Sequence, residues 1–477
     1  MTKKLVIFLS AIGLFALFVW IRAIPTELLN IDETIPVEVS RAMEASGRLD
    51  PNWANADLAS FLKYDQYNFY FYNIIAHFGI SLGDIFDKDA LESLRLMNFV
   101  FQFLAIVLIG DGLRRLKANW IGVACGVLSA CLLPLWVQDA AMARPESLIY
   151  LLMGLLTWTA ISISSAKFGP ICIGFVVALG VAIKFSFFVF AAPIAALWLY
   201  LNRQSSFSGY AYVALMGALG SALGLLLAMP YAILNIDVYL SGLTYLLNQY
   251  SGQHPPHSRL GATFVSQLFW IGSYFSITAG GFLAVTIAGS FAFPKALSRG
   301  TAFLVLPFLV TLIYFATKPV FFERNFSQSL PSLCFAFGLV IDSGWKTFKE
   351  AKYRAVYLAV AAPLLAGSAF QMLYWSHVIS DAALYLEDRR AHFEIREKLA
   401  DFEDFGFVSS FSGTVPDCGR IAVIDYNDPW TRQHLLILSQ SGFNKVAEYR
   451  SVFSRLPTST LHTYLDSDVH YLIKSCD

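Results

Sequence analysis

Apolar runs of membrane length recur along most of this 477-residue chain and limit its fold more than any other feature. A helix rises 1.5 Å per residue, so roughly 20 apolar residues cross a hydrocarbon core of ~30 Å. The first run, 5–24, reads LVIFLSAIGLFALFVWIRAI. Further runs fall at 93–110, 119–137, 147–165, 169–183, 185–201, 210–230, 266–291, 301–317, 328–345 and 355–377. The pattern predicts an α-helical polytopic membrane protein of about eleven transmembrane helices. The first run is longer than a usual signal-peptide core and has no clear small-x-small cleavage site, so it is expected to remain as a span.

The 34 basic and 34 acidic residues cancel, but they are unevenly spread. With the N-terminus inside, the loops on that side carry Lys3, Lys4, Arg114, Arg115, Lys117, Lys167, Arg203, Lys295, Arg299, Lys346, Lys349, Lys352 and Arg354. The acids there are Asp111, Asp342 and Glu350. Positive charge near span ends fixes orientation, so the N-terminus is expected in the cytoplasm of a multi-pass protein of the plasma (inner) membrane. All eight histidines then fall at or beyond the outer boundary, and the C-terminal segment is extracytoplasmic. Membrane lipid is the expected surrounding, and no nucleic-acid partner is expected.

Two domains follow: a membrane domain over 1–379 and an extracytoplasmic α/β domain over 380–477. The membrane domain has two long outer loops. Loop 25–92 contains ETIPVEVSRAMEASG, spaced for a short helix lying on the membrane, and the aromatic segment QYNFYFYNIIAHFGI, also read as interfacial. Loop 231–265 is polar and includes YSGQHPPHSR, with His254 and His257. In the C-terminal domain, LEDRRAHFEIREKLADFEDFG reads as helix-forming, RIAVIDY as a buried strand and WTRQHLLILSQSGF as a helix. KVAEYRSVF and VHYLIKS are further strand candidates. Cys125, Cys131, Cys172 and Cys334 lie within spans and read as packing residues. Cys418 and Cys476 fall in the outer domain, where an oxidising compartment permits a disulfide; two free thiols are the other reading.

The chemistry concentrates on one membrane face. Asp32 and Glu33 follow the first span, and paired acids near lipid are costly enough to mark a site. Asp139, Arg144 and Glu146 flank the turn QDAAMARPES, Lys184 sits in VAIKFSF, and Glu323, Arg324 and Asn325 sit in FFERNFSQSLP. One cavity lined by carboxylates and cations suits an anionic substrate that also has a proton to lose. Each residue has a plainer reading. Asp32 and Glu33 suit the cap and first turn of a helix. Arg144 with Glu146 suits a local ion pair, Lys184 suits snorkelling to the surface, and Arg324 suits an interfacial anchor. His254 and His257 lack a clear third ligand, so a metal is not indicated and no cofactor is required. The aromatic stretch 67–72 reads as an interfacial belt or a sugar-stacking platform.

Asp-Glu after the first span, the aromatic segment, ARPES before the fourth span and ERNFSQSLP before a late span together resemble the GT-C superfamily of membrane glycosyltransferases. The nearest branch resembles bacterial relatives of protein O-mannosyltransferases and of aminoarabinose transferases. The resemblance covers about 1–380 and rests on the order and membrane side of the motifs. The chain departs from it at Asp65-Gln66-Tyr67-Asn68, where a Pro-Pro pair is usual, and at Arg144-Pro145-Glu146. It implies transfer of a sugar from a polyprenyl-phosphate donor to a glycan, lipid or protein hydroxyl. Under it Asp32 is the base, Glu33 its assistant, and Arg324, Lys184 and Arg144 hold the donor phosphate. Glu146, Asp139, His254, His257, Asn325 and Tyr64 are substrate-lining candidates. A single displacement inverts the anomeric centre; a retaining route would use Glu146 or Asp139 as nucleophile. The rival classes are a transporter or flippase for a lipid-linked or anionic solute, and a nonenzymatic receptor or assembly subunit.

Overall fold

The computed structural model describes residues 31–58, 63–251, 263–320, 322–350, 354–380, 394–395, 399, 405–409, 416–425, 429–450 and 468–476. The apolar run 5–24, the histidines His254 and His257 and most of the LEDRRAHFEIREKLADFEDFG segment lie outside these residues.

A 3-10 turn, Ile31–Glu33, opens onto α1 (Thr34–Ser46), and α2 (Tyr70–Asp84) carries the aromatic segment. The apolar bundle follows as α3 (Ala90–Arg115), α4 (Trp120–Leu132), α5 (Pro134–Ala141), α6 (Glu146–Ser162), α7 (Phe168–Val181) and α8 (Phe187–Leu201). It continues through α9 (Phe207–Ala228), α10 (Ile236–Tyr250), α11 (Phe264–Ala292), α12 (Thr301–Ala316), α13 (Leu330–Glu350) and α14 (Arg354–Ser380). Polar side chains start several of these helices by taking up otherwise unpaired N–H groups. Asp89 accepts from Glu92, Asn119 from Gly122 and Ser206 from Gly209, and Thr263 with Ser266 forms a capping box. Among the described residues α3, α9 and α11 are each long and apolar enough to cross a membrane. α4 and α5 are long and apolar enough only when taken together, and they are bent by 53° where Pro134 restarts the helix after Leu133. α6, α7, α8 and α12 are shorter apolar helices. The chain is a multi-pass membrane protein.

Stretch 231–251 is helical where a polar loop was expected. Tyr231 N–H donates to the Tyr70 hydroxyl at 3.1 Å, and Asn235 donates to the Tyr67 hydroxyl at 3.0 Å. α10 then turns Val238, Tyr239, Gly242 and Leu246 inward at helical spacing. A Cβ on Gly242 would lie 2.9 Å from the Gln66 Cβ, so only glycine permits this approach. The aromatic segment therefore seats α10.

Small residues set the closest helix contacts in the bundle. A Cβ on Gly174 of α7 would sit 2.0 Å from the Gly217 carbonyl oxygen of α9, and one on Gly220 of α9 would sit 2.1 Å from that of Ile171. Gly122 of α4 and Gly338 of α13 approach each other in the same way, at 2.6 Å and 2.7 Å from the facing carbonyl oxygens.

The C-terminal part is a four-stranded sheet of order β1-β2-β4-β3, with α15 (Pro429–Gln440) between β2 and β3. Its strands are β1 (Gly406–Ser409), β2 (Gly419–Asp425), β3 (Asn444–Tyr449) and β4 (Asp468–Lys474). β1 and β2 are parallel and the other pairs antiparallel. Alternation divides the side chains. Ile421, Val423 and Leu472 pack on Leu438 of α15, while Ala422, Val469 and Tyr471 pack with Phe405 on the other face. β1 was not expected, since four residues after a charged segment show no clear alternation. Cys418 and Cys476 are joined by a disulfide across the paired ends of β2 and β4, with Cα atoms 5.0 Å apart.

Gly220→Val should force α7 and α9 apart and lower stability by about 1–3 kcal/mol, seen as a fall of the thermal unfolding midpoint in detergent. Gly272→Ala in α11, with open space around its Cβ, should leave the midpoint unchanged. Equal midpoints for both variants would argue against glycine-set packing.

Candidate active site

The helix ends near the 31–33 turn bring together charged groups from five separate stretches of chain. Asp32 forms an ion pair with Arg324 of the 3-10 turn Glu323–Ser329. The Arg324 guanidinium also lies over the Phe322 ring, 5.3 Å from its centroid. Burial pushes the Asp32 carboxyl up, but the Arg324 charge and hydrogen bond outweigh it and hold the group below the ordinary carboxylate value. Arg144 and Glu146 also act on the Asp32 charge.

Glu33 faces the other way. Its side chain is fully buried and meets the fork of Arg95 on α3, with Nη2 at 2.9 Å from Oε2 and 3.0 Å from Oε1, and Nε at 3.2 Å from Oε1. The Ala143 N–H donates to Glu33 Oε1 at 2.6 Å. Glu33 stands at the start of α1 but makes no capping bond. The expected helper of Asp32 is therefore a buried anchor tied to the ARPES turn, since its carboxylate is fully occupied by Arg95 and Ala143.

A second group forms around that turn. Asp139, at the end of α5, accepts from Arg144 Nη2 at 3.1 Å, from Tyr150 at 3.0 Å and from Ser327 at 2.6 Å. Arg144 Nε lies 3.7 Å from Glu146, and Lys184 Nζ lies 2.9 Å from the other Glu146 oxygen. Lys184 thus turns to Glu146, and Arg144 is wedged between two carboxylates. Asn325 is buried in the same turn as Arg324, its N–H donating to the Phe322 carbonyl at 3.0 Å. Tyr64 lies apart from this cluster's ion pairs, its ring 4.5 Å from that of Tyr245 on α10. Among the described residues no group of three or more His, Cys, Asp or Glu side chains is arranged to hold a metal ion.

The polar stripe on α3 was not expected. Arg95, Asn98 and Gln102 recur at i, i+3 and i+7 within an otherwise apolar run, and that spacing is itself a signal. Asn98 Nδ2 donates to the carbonyls of Met142 at 2.6 Å and Arg144 at 2.9 Å, and Gln102 donates to Ser147 at 3.0 Å.

The fold matches ArnT from Cupriavidus metallidurans in the apo state over 98% of both chains, with a TM-score of 0.53 and 15% identity. The same protein bound to undecaprenyl phosphate matches over 99% of this chain and 98% of that one, with a TM-score of 0.54 and 14% identity. The oligosaccharyltransferase of Archaeoglobus fulgidus in the apo form is more distant, with a TM-score of 0.47 and 12% identity over 83% of this chain and 59% of that one. No family model and no curated protein matches the chain.

Asp139→Ala would strand Arg144, Tyr150 and Ser327 without their shared acceptor. It should cost about 3–5 kcal/mol, as for a buried charge that loses its partner. Asp139→Asn, which keeps the shape and one acceptor oxygen, should cost less. Thermal unfolding in detergent checks both, and equal losses would mean that the carboxylate is not a shared hub.

Proposed function

We propose that the protein transfers a sugar from a polyprenyl-phosphate donor to a hydroxyl acceptor on the extracytoplasmic side of the membrane. The observation that carries this reading is the Asp32–Arg324 ion pair, which joins residues 292 positions apart at the end of an apolar bundle. The fold shared with ArnT, one of whose structures holds undecaprenyl phosphate, supports the choice of donor. The positive excess in the loops on the opposite side supports the orientation.

The charges divide by access. Arg324 and Lys184 side chains keep 18% and 14% of their surface exposed, whereas Arg95 and Arg144 keep 0% and 1%. Arg324 and Lys184 are therefore the cations for the donor phosphate, and Arg144 serves to hold Asp139 and Glu146. Asp32 is 25% exposed, while Glu33, Asp139 and Glu146 are buried and paired. Among the described carboxylates of this cluster Asp32 is the reachable one, so a single inverting displacement fits better than a route through a second carboxylate nucleophile.

In the resting site Arg324 neutralises Asp32. The arriving phosphate competes for the guanidinium fork, which suits phosphate oxygens as well as it suits a carboxylate. Arg324 moves to the donor and Asp32 is released as a base. The acceptor oxygen then attacks the anomeric carbon, and its proton passes to Asp32. The carbon–oxygen bond to phosphate breaks, and polyprenyl phosphate leaves with the electron pair, stabilised by Arg324 and Lys184. Asn325, Tyr64, His254 and His257 remain candidates for contacts to the sugars.

Purified protein given radiolabelled polyprenyl-phosphate sugars and glycan, lipid or protein acceptors should transfer label; movement of donor across a bilayer without transfer would favour a transporter. Asp32→Asn should lower kcat by about 10²–10⁴-fold while leaving donor binding within a few-fold. The pH dependence follows from the ion pair. A lowered pKa keeps Asp32 ionised at neutral pH, and activity falls as pH drops through that value. The acid limb of kcat/KM for donor reports the free enzyme with Arg324 on Asp32, and the limb of kcat reports the donor complex. The kcat limb should therefore lie at higher pH, and Arg324→Ala should raise the kcat/KM limb. Coincident limbs would count against the exchange.

A further inference from the structure

The polar stripe on α3 has no place in the charge chemistry above, yet it touches both halves of the site. Arg95 grips Glu33, the neighbour of Asp32, in a forked contact. One helical turn on, Asn98 bonds the carbonyls of Met142 and Arg144, and its Oδ1 accepts from the Tyr72 hydroxyl at 3.4 Å. A further turn on, Gln102 bonds Ser147, whose hydroxyl donates to the Asp139 carbonyl at 3.0 Å. The Ala143 N–H closes the ring by bonding Glu33 from the far side. A rigid helix thus spans from the turn of Asp32 to the turn of Asp139, Arg144 and Glu146. All three stripe residues are buried, so none of them meets substrate.

We propose that Arg95, Asn98 and Gln102 are positioning residues that fix the distance and direction of Asp32 relative to the cations that hold the leaving group. The inference rests on the glycosyl-transfer reading and adds to it the part that sets the geometry. Attack in line with the leaving phosphate needs base and cations in register on opposite sides of the anomeric carbon. A displacement of about 1 Å in such a site costs on the order of 10²-fold in rate. Arg95 supplies more than a charge here, because its fork fixes the Glu33 carboxylate in plane, which a lysine ammonium cannot do.

The test uses the full-length protein in nanodiscs, the donor and acceptor pair that wild type turns over, and undecaprenyl phosphate as the binding probe. Arg95→Lys keeps the buried charge and removes the fork. Gln102→Met keeps the volume and removes one peripheral bond, so it folds even if Arg95→Lys does not. Both should lower kcat, by tenfold or more for Arg95→Lys and several-fold for Gln102→Met. KM for donor and the Kd for undecaprenyl phosphate should stay within twofold, and Gln102→His, which again offers Ser147 an N–H donor, should recover part of the Gln102→Met loss. Folded variants with wild-type kcat, or a loss confined to KM and Kd, would overturn the positioning role and leave the transfer reading intact. Wild type that neither transfers sugar nor binds the probe would overturn both.

Discussion

Glu33 has no surface exposed to solvent, and a carboxylate so placed is stable only against a fixed cation. Arg95 supplies that cation across 62 residues of sequence, and the Ala143 N–H completes the shell. The constraint propagates. With Glu33 pinned to α3, the preceding residue Asp32 turns the other way, where Arg324 meets it. The ARPES turn is held against the same carboxylate, which aligns Arg144 with Asp139 and Glu146. Adjacent acids thereby come to differ in burial, Glu33 enclosed and Asp32 partly exposed, from the direction each side chain takes.

Neutral pairing also shapes how an anion can enter. A pocket of unpaired cations near lipid would be costly to desolvate, whereas cations held by carboxylates are stable and can still be exchanged. Under the proposed transfer, entry of a phosphate would replace one anionic partner with another at Arg324, and the displaced partner would be Asp32. Readiness of the base would in this way be tied to the presence of the leaving group.

Much of the architecture was readable because hydrophobic runs force it. The run 147–165 became Glu146–Ser162, and 266–291 became Phe264–Ala292. The fold expected from the resemblance of the connecting motifs is matched by the fold shared with ArnT. What escaped was decided by contacts between distant residues. The helical state of 231–251 depends on hydroxyls from Tyr67 and Tyr70, which polarity within the segment does not reveal. The orientation of Glu33 depends on Arg95, and no local pattern distinguishes it from Asp32. Arg95, Asn98 and Gln102 stand at helical spacing in the sequence, but their partners Glu33, Met142, Arg144 and Ser147 lie on other stretches of chain and leave no local trace. Proximity of Asp32, Arg144, Lys184 and Arg324 was legible from membrane side alone, whereas their pairing was not.

A buried ion cluster is not by itself a site, and the molecule contains a comparison. Asp342 lies on α13, roughly 18 Å along the helix from Leu330 at 1.5 Å per residue. It is fully buried and bonds Arg299 at 2.5 Å, Lys346 at 2.7 Å and the Asn119 N–H at 2.9 Å. There the carboxylate is enclosed and the cations reach outward, so the cluster clamps α4 and α13 together and offers no base. At the other end the enclosed carboxylates are Glu33, Asp139, Glu146 and Glu323, and one more acid, Asp32, stays partly exposed. The two clusters use the same residue types. The proposed chemistry needs a reachable acid that shares an exchangeable cation with the incoming anion, and of these two clusters the one with a partly exposed acid–cation pair is that of Asp32 and Arg324.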